Sequence, residues 1–564
     1  MTSLLKNSYS CSPQIRKGVI FTLIWGVVNL IQALFTELHF DEAYYALYAD
    51  HLAWGYFDHP PAIALLIWIS KHLVAGSLGI RLFNIILLPF TLWLFWETLP
   101  HDQHRSDPLL FLWITAAIPY IQIIGFVATP DTPLLFTYAL ILYASQAFLK
   151  QERMGEVFLF ALAMALSMYS KYHAALFIVL LIGANPRLLQ RPKFYIAGVI
   201  ALLLWTPHLL WEYQHDWITI RFHLFDRSRN FDWKSIIEYL WNIPVSFNPL
   251  LVIPFIYYRI RWKHKSPYDR TLTLIAIGFW VFFFLSAFRD RVQPQWVLPV
   301  LFCIVWTLYR TGIERPSAKA VIQKLAGISI VIILAARILL MCNLDLKANI
   351  AFFKNRQSYT ALATLTQGAP LVMNGNYGMA AHYAWYSGHP VHCQSSVNQR
   401  DSQFSIWQFD TAFYGKEVWV ECPDSLPLIP LPNHKNIALQ KVDFFIPVSR
   451  IEITPVTPPR EASAGDSLTI TLVVENRYDF IFPMSQVDGT RLHAVWKRER
   501  SVQIDFVLPD KVSALAPRSV CFFPVTIPVP EKPGFYQLGF SVERAPLPYG
   551  FALPPQKVKV ISKK

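Results

Sequence analysis

Long apolar runs separated by short polar breaks dominate the first two thirds of the chain. Runs of membrane-crossing length recur at 18–36, 79–99, 108–126, 132–149, 155–170, 172–189, 194–212, 236–258, 271–288, 294–309 and 320–341. Since about 20 apolar residues of helix match the bilayer's hydrocarbon thickness, they predict about eleven spanning helices. A run at 61–75, broken by Lys71 and His72, reads instead as a helix lying in the interface. The first run is too long for a signal peptide core and lacks a small-residue cleavage site, so it is expected to stay as an anchor. Beyond residue 344 the pattern changes. LVMN, the turn NGNYG, MAAHYAWYSG, VHC and EVWVEC predict a small α/β domain at 345–450. After PVTPP (455–459), alternating runs such as LTITLVVEN, SVQIDFVL, CFFPVTI and YQLGFSVE predict an Ig-like β-sandwich at 451–564. The fold class expected is a polytopic α-helical membrane protein, residues 1–344, carrying these two soluble domains.

Composition agrees: 54% of the 564 residues are hydrophobic and only 15% charged. A formal net charge of +13 would suit nucleic acid. However, the basic residues sit mostly in short loops between apolar runs, which is a topology signal. One set of loops holds Lys6, Arg16 and Lys17; Arg105; Lys150 and Arg153; Arg187, Arg191 and Lys193; Arg259, Arg261, Lys263, Lys265 and Arg270; and Arg310, Arg315 and Lys319. The positive-inside rule assigns these, with the N-terminus, to the cytoplasm. The alternate loops are 37–61, 128–133, 170–173, 211–233 and 288–296, and they hold the chemically interesting residues. An odd number of spans then puts the C-terminal domains on the outer side as well. The six cysteines show no C-x-x-C spacing, and Cys393 with Cys422 is the one candidate bridge.

Asp41 opens a short tyrosine-rich stretch that reads as a helix beginning at that residue and stopping near Gly55. An ionised carboxylate there can serve as a base, with Glu42 beside it, and Tyr44, Tyr45 and Tyr48 share one helical face. The plainer alternative is an interfacial helix with its tyrosines at headgroup level. Asp131 in ATPDTP either caps a helix or lines the site, and Lys171 either snorkels or contacts phosphate. The 211–233 loop offers His215, Asp216, Arg221, His223, Asp226, Arg227 and Arg229 among aromatics, denser than a connector needs. Arg289 and Arg291 serve a phosphate or anchor a helix end. No G-x-G-x-x-G, Walker loop or D-x-D pair occurs, so a nucleotide-borne donor has no visible site. A lipid-borne donor needs none of these.

FDEAYY (40–45), FDHPP (57–61), TPDTPLLF (129–136), SKYHAALF (170–177) and W-x-x-Q-H-D-W (211–217) together resemble the membrane-embedded GT-C glycosyltransferases. The resemblance is to bacterial relatives of protein O-mannosyltransferases and of lipid A aminoarabinose transferases, and covers roughly residues 15–341. It implies inverting transfer from a polyprenyl-phosphate sugar at the outer face of a bacterial inner membrane, with Asp41 as base and Glu42 as its partner. Lys171, Arg221, His59 and Arg289 become donor-phosphate candidates, and Tyr44, Tyr45, Asp131 and His215 pocket candidates. In the aminoarabinose transferases the second element reads acid-Lys-Pro-Pro, whereas this chain has Asp58-His59-Pro60-Pro61. Phosphate binding is therefore expected to rest more on Lys171 and Arg221. A divalent metal held by Asp58 with His215 or His223 is a candidate cofactor, and no other is indicated. The acceptor is a lipid, a protein or a polysaccharide; membrane lipids are expected around the chain, and nucleic acid is not a partner. A flippase of lipid-linked glycans and a non-catalytic envelope scaffold are the competing classes. Transporters place polar groups near the bilayer midplane, whereas here they lie at helix ends, which favours the enzyme.

Overall fold

The computed structural model describes residues 13–100, 106–223, 232–261, 266–343, 352–422, 428–431, 436–498 and 501–563. Of the charged residues named above, Lys6, Arg105, Asp226, Arg227, Arg229, Lys263 and Lys265 lie outside the described residues. The chain divides into two compact units, Met1–Lys347 and Ala348–Lys564.

The first unit is helical. It begins with α1 (Pro13–Phe35), α2 (Phe40–Asp50), α3 (Ala62–Leu73) and α4 (Gly76–Thr98), followed by α5 (Pro108–Ala116) and α6 (Pro119–Ile124). Next come α7 (Asp131–Lys150), α8 (Met154–Ser170), α9 (Ala174–Ala184), α10 (Pro192–Gln214) and the one-turn α11 (Ile218–Arg221). The unit closes with α12 (Trp233–Phe247), α13 (Pro249–Ile260), α14 (Pro267–Ser286), α15 (Val300–Glu314) and α16 (Pro316–Cys342). Among the described residues six helices, α1, α4, α7, α10, α14 and α16, are long and apolar enough to cross a membrane. Counting α12 and α13, bent by 96°, as one span makes seven. The protein is thus a multi-pass membrane protein, but the expected eleven spans are not confirmed. Pro119 divides the 108–126 run into α5 and α6. Asn248, with φ of 80°, and Pro249 break the 236–258 run. Helices α3, α8 and α9 are apolar but short.

Large apolar side chains such as Leu23, Leu203 and Val331 are exposed, which in a membrane protein is the lipid-facing surface. The interior is packed by aromatics, for example Tyr138 stacked on Phe177 at 4.2 Å and Phe95 edge-on to Phe302 at 4.6 Å. It also holds a guanidinium. Arg337 of α16 donates from Nε to Gln32 Oε1 (3.1 Å), from Nη1 to Gln122 Oε1 (2.6 Å) and from Nη2 to Asn29 Oδ1 (2.9 Å). Its described partners are all neutral, and they come from α1 and α6.

The second unit starts with α17 (Asn355–Thr366), β1 (Leu371–Asn374), α18 (Tyr377–Ser387), β2 (Val391–Gln394), α19 (Gln403–Trp407), β3 (Val418–Glu421) and β4 (Leu439–Val442). The strands form one sheet ordered β2-β1-β3-β4, the first three parallel. Then follow β5 (Ile451–Pro455), β6 (Glu461–Ser463), β7 (Ser467–Asn476), β8 (Phe482–Pro483), β9 (Thr490–Arg498), β10 (Ser501–Val507), β11 (Ala514–Leu515), β12 (Val520–Pro528), β13 (Gly534–Arg544) and β14 (Gln556–Ile561). A five-stranded sheet, β10-β9-β13-β14-β6, and a three-stranded sheet, β12-β7-β5, share a core containing Trp496, Leu472, Val474 and Ile527. That core also includes Val372 and Val420 of the α/β sheet. We propose 450/451 as a boundary between two architectures within this unit. Cys393 and Cys422 are both buried free thiols, so the candidate bridge is not formed.

Candidate active site

The first polar break folds around the start of α2. His39, rather than Asp41, caps the helix: its Nδ1 accepts from the Asp41 N–H at 3.2 Å, and Glu42 Oε2 accepts from the His39 N–H at 3.0 Å, a reciprocal capping box. One residue of rotation then separates two carboxylates completely. Glu42 turns inward, where Oε1 accepts from Arg81 Nε (2.7 Å) and the Ala128 N–H (2.9 Å), and Oε2 also accepts from Arg81 Nη2 (2.6 Å). Both oxygens carry two donors each, so the acid has no lone pair left for a substrate proton. Arg81 adds bonds to the carbonyls of Ala33, Thr36 and Glu37, which fixes the entry into α2. Asp41 by contrast keeps 31% of its side-chain surface exposed, with His39 Nδ1 3.6 Å away.

The tyrosine face forms as expected, and it is buried. Tyr44 and Tyr45 lie 4.7 and 5.7 Å from Tyr48, and the Tyr48 hydroxyl donates to Asp58 Oδ1 at 2.7 Å. Tyr56 stacks on Tyr48 at 3.9 Å, and His59 sits edge-on to Tyr45 at 5.6 Å. The helix ends at Asp50 with His51 as its C-cap, so Gly55 is not its stop. Gly55 is small for another reason: a Cβ there would overlap the Trp211 indole.

Asp131 is the first residue of α7 and does not cap it. Instead Lys171, where α8 ends, donates to Asp131 Oδ1 at 2.8 Å, with both side chains buried. The ammonium retains two hydrogens beyond the one given to Asp131. His173 and Trp296, 5.2 Å apart, bring the 288–296 segment against the same region.

A buried polar network beneath these residues is absent from the sequence reading. The Tyr172 hydroxyl lies 2.7 Å from His208 Nε2 and 2.9 Å from Glu212 Oε1, and Thr219 Oγ1 lies 2.5 Å from the same carboxylate oxygen. Burial, and then Glu212, push the Tyr172 phenol upward, so its hydroxyl keeps its hydrogen. The signal was available: a His and a Glu four residues apart inside an apolar helix are costly unless partnered.

Other expected residues are not gathered here. Arg289 is exposed, and Arg221 has no side-chain partner among the described residues. The metal candidates do not form a cluster. His223 Nε2 faces the backbone carbonyl of Asp58 at 3.1 Å, and His215 stacks on Trp211 with its Nδ1 2.8 Å from that residue's carbonyl. Among the described residues no three His, Cys, Asp or Glu side chains come together to hold an ion. As described, Asp58, His215 and His223 therefore do not form a metal site.

Residues 58–211 match the family described as dolichyl-phosphate-mannose-protein mannosyltransferase. The chain is similar to lipid A galacturonosyltransferase RgtD of Rhizobium johnstonii, with 27% identity over 220 residues, or 36% of this chain and 45% of that protein. The alignment thus spans less than half of that relative. Among solved structures, ArnT from Cupriavidus metallidurans aligns in the apo state with a TM-score of 0.54 and 14% identity, and bound to undecaprenyl phosphate with 0.56 and 14%. Each alignment covers 75% of this chain and 97% of that one. The chain has the GT-C fold.

Proposed function

We propose that this protein is an inverting glycosyltransferase that moves a sugar from an undecaprenyl-phosphate carrier to a lipid acceptor at the outer face of a bacterial inner membrane. The observation that carries the reading is the separation of Asp41 from Glu42: of two adjacent acids at the mouth of a membrane-embedded helix bundle, one is fully consumed and one faces outward. Asp41 takes the acceptor hydroxyl proton as that oxygen bonds to the anomeric carbon. The bond from that carbon to the phosphate oxygen breaks, and the carrier leaves as its phosphate. That leaving group is already acidic, so it needs charge stabilisation more than a proton. Lys171, with hydrogens to spare, supplies that charge, with His59 as a further contact. Tyr44 and Tyr45 shape the sugar pocket. The undecaprenyl phosphate bound by the solved ArnT and the lipid A specificity named for the Rhizobium relative support the donor and acceptor classes.

The test is transfer by purified protein in nanodiscs from labelled undecaprenyl-phosphate sugars to an envelope extract, with the product identified by mass. Asp41→Asn is expected to lower kcat by about 100-fold or more while undecaprenyl phosphate binding stays at the wild-type level. Near-normal turnover in that variant would remove Asp41 as the base. A protein or polysaccharide product would revise the acceptor class.

A further inference from the structure

The segment from Trp54 to His59, which carries Asp58 and His59, is held from below by its alternate carbonyls. His208 Nδ1 donates to the Trp54 carbonyl at 2.6 Å, Thr219 Oγ1 donates to that of Tyr56 at 2.9 Å, and His223 Nε2 meets that of Asp58 at 3.1 Å. Two of the three holders converge on Glu212, directly through Thr219 and, for His208, through the Tyr172 hydroxyl. Glu212 is fully buried, and its second oxygen, Oε2, has no hydrogen-bond partner among the described residues. A hydrogen count shows why the acid matters. Tyr172 has one hydrogen for two acceptors, His208 Nε2 and Glu212 Oε1, and Thr219 has one for Tyr56 O and Glu212 Oε1. Glu212 Oε1 is the acceptor that both hydroxyls share, so it fixes how Tyr172 and Thr219 are aimed.

We propose that Glu212 is a positioning residue of the donor site: through Thr219, Tyr172 and His208 it sets the 54–59 segment, and hence His59, for the carrier's phosphate. The last clause rests on the transferase reading; the clamp itself does not. An amide at position 212 keeps a polar atom within reach of both hydroxyls in the place of Oε1, so it should preserve the clamp. A methyl group cannot.

The experiment compares wild type with Glu212→Gln, Glu212→Ala and Thr219→Val in nanodiscs, reading donor KM, kcat and hydrogen exchange of the 54–59 amides. Glu212→Ala is expected to raise donor KM by about tenfold, with kcat changed by less than about threefold, and to speed exchange in 54–59. Glu212→Gln should stay within about threefold of wild type on both constants. Thr219→Val, which removes one link and leaves the acid in place, should raise KM in the same direction even if the alanine variant fails to fold. Equal impairment of Gln and Ala would overturn the clamp in favour of a role for the carboxylate itself, as would unchanged exchange in 54–59 for both Glu212→Ala and Thr219→Val. If wild type neither transfers sugar nor binds undecaprenyl phosphate, the transferase reading fails, and the exchange data still decide the clamp.

Discussion

Asp41 and Glu42 share a charge and a helix turn, yet the fold uses them in opposite ways. The Glu42–Arg81 pair is fully buried, and removing one partner strands a charge where water cannot reach it. Arg81→Met is therefore expected to destabilise the protein by about 3–5 kcal/mol, seen as a lower unfolding temperature in detergent. Asp41→Asn, at a half-exposed position, should leave that temperature unchanged. A second residue-scale expectation concerns pH. His392, in β2 outside the membrane-spanning segments, has its pKa lowered by burial, with Asp410 opposing the shift. The folded state then binds fewer protons than the unfolded one, so the stabilisation is complete above the ordinary histidine value of about 6.5 and is lost as pH falls through it toward the folded pKa. Hydrogen exchange across 391–410, corrected for intrinsic rates, should quicken below about pH 6, and His392→Gln should flatten that response. Sequence alone could name both acids of FDEAYY but could not separate them. The separation comes from Arg81 and the Ala128 amide, which lie 39 and 86 residues away.

At the scale of elements, apolar periodicity located nearly every helix, while their continuity was decided by single residues. The 236–258 run reads as one span. Asn248 nevertheless adopts φ of 80°, donates from Nδ2 to the Ala117 carbonyl at 2.8 Å and accepts the Leu250 N–H at 2.9 Å. A non-glycine residue in that region is strained, and its two side-chain bonds hold it there. Asn248→Ala loses both and should cost about 1–3 kcal/mol, again measurable by thermal unfolding. The α2 helix teaches the complementary lesson. Its tyrosine face was legible from spacing, but its start was not, because histidine is not among the side chains usually expected to cap a helix. Likewise the His208–Glu212 pair was visible as spacing within an apolar helix, whereas its partners Tyr172 and Thr219 lie on other segments.

At the scale of the whole molecule, the charge asymmetry of alternate loops was the most informative pattern in the sequence. Segments 37–61, 128–133, 170–173 and 211–223 are joined by the Glu42–Ala128, Asp131–Lys171, Tyr172–Glu212 and Thr219–Tyr56 contacts. Such convergence could be inferred only as a shared side of the membrane, since no periodicity encodes which loop touches which. We propose that this side is extracytoplasmic and that the second unit lies there too. An alkaline phosphatase fusion after residue 564 should then be active, whereas an inactive fusion would reverse the orientation. Arg337 bears on how such a molecule is made. The cation sits near the C-terminal end of the last span, and the neutral side chains that solvate it belong to α1 and α6, more than 200 residues earlier. During synthesis α16 follows α1 and α6, carrying a charge that hydrocarbon rejects. Its polar side-chain contacts there are Asn29, Gln32 and Gln122. A chain whose first helix is misplaced would lack two of these partners, so the first and last described spans are tied through one buried cation.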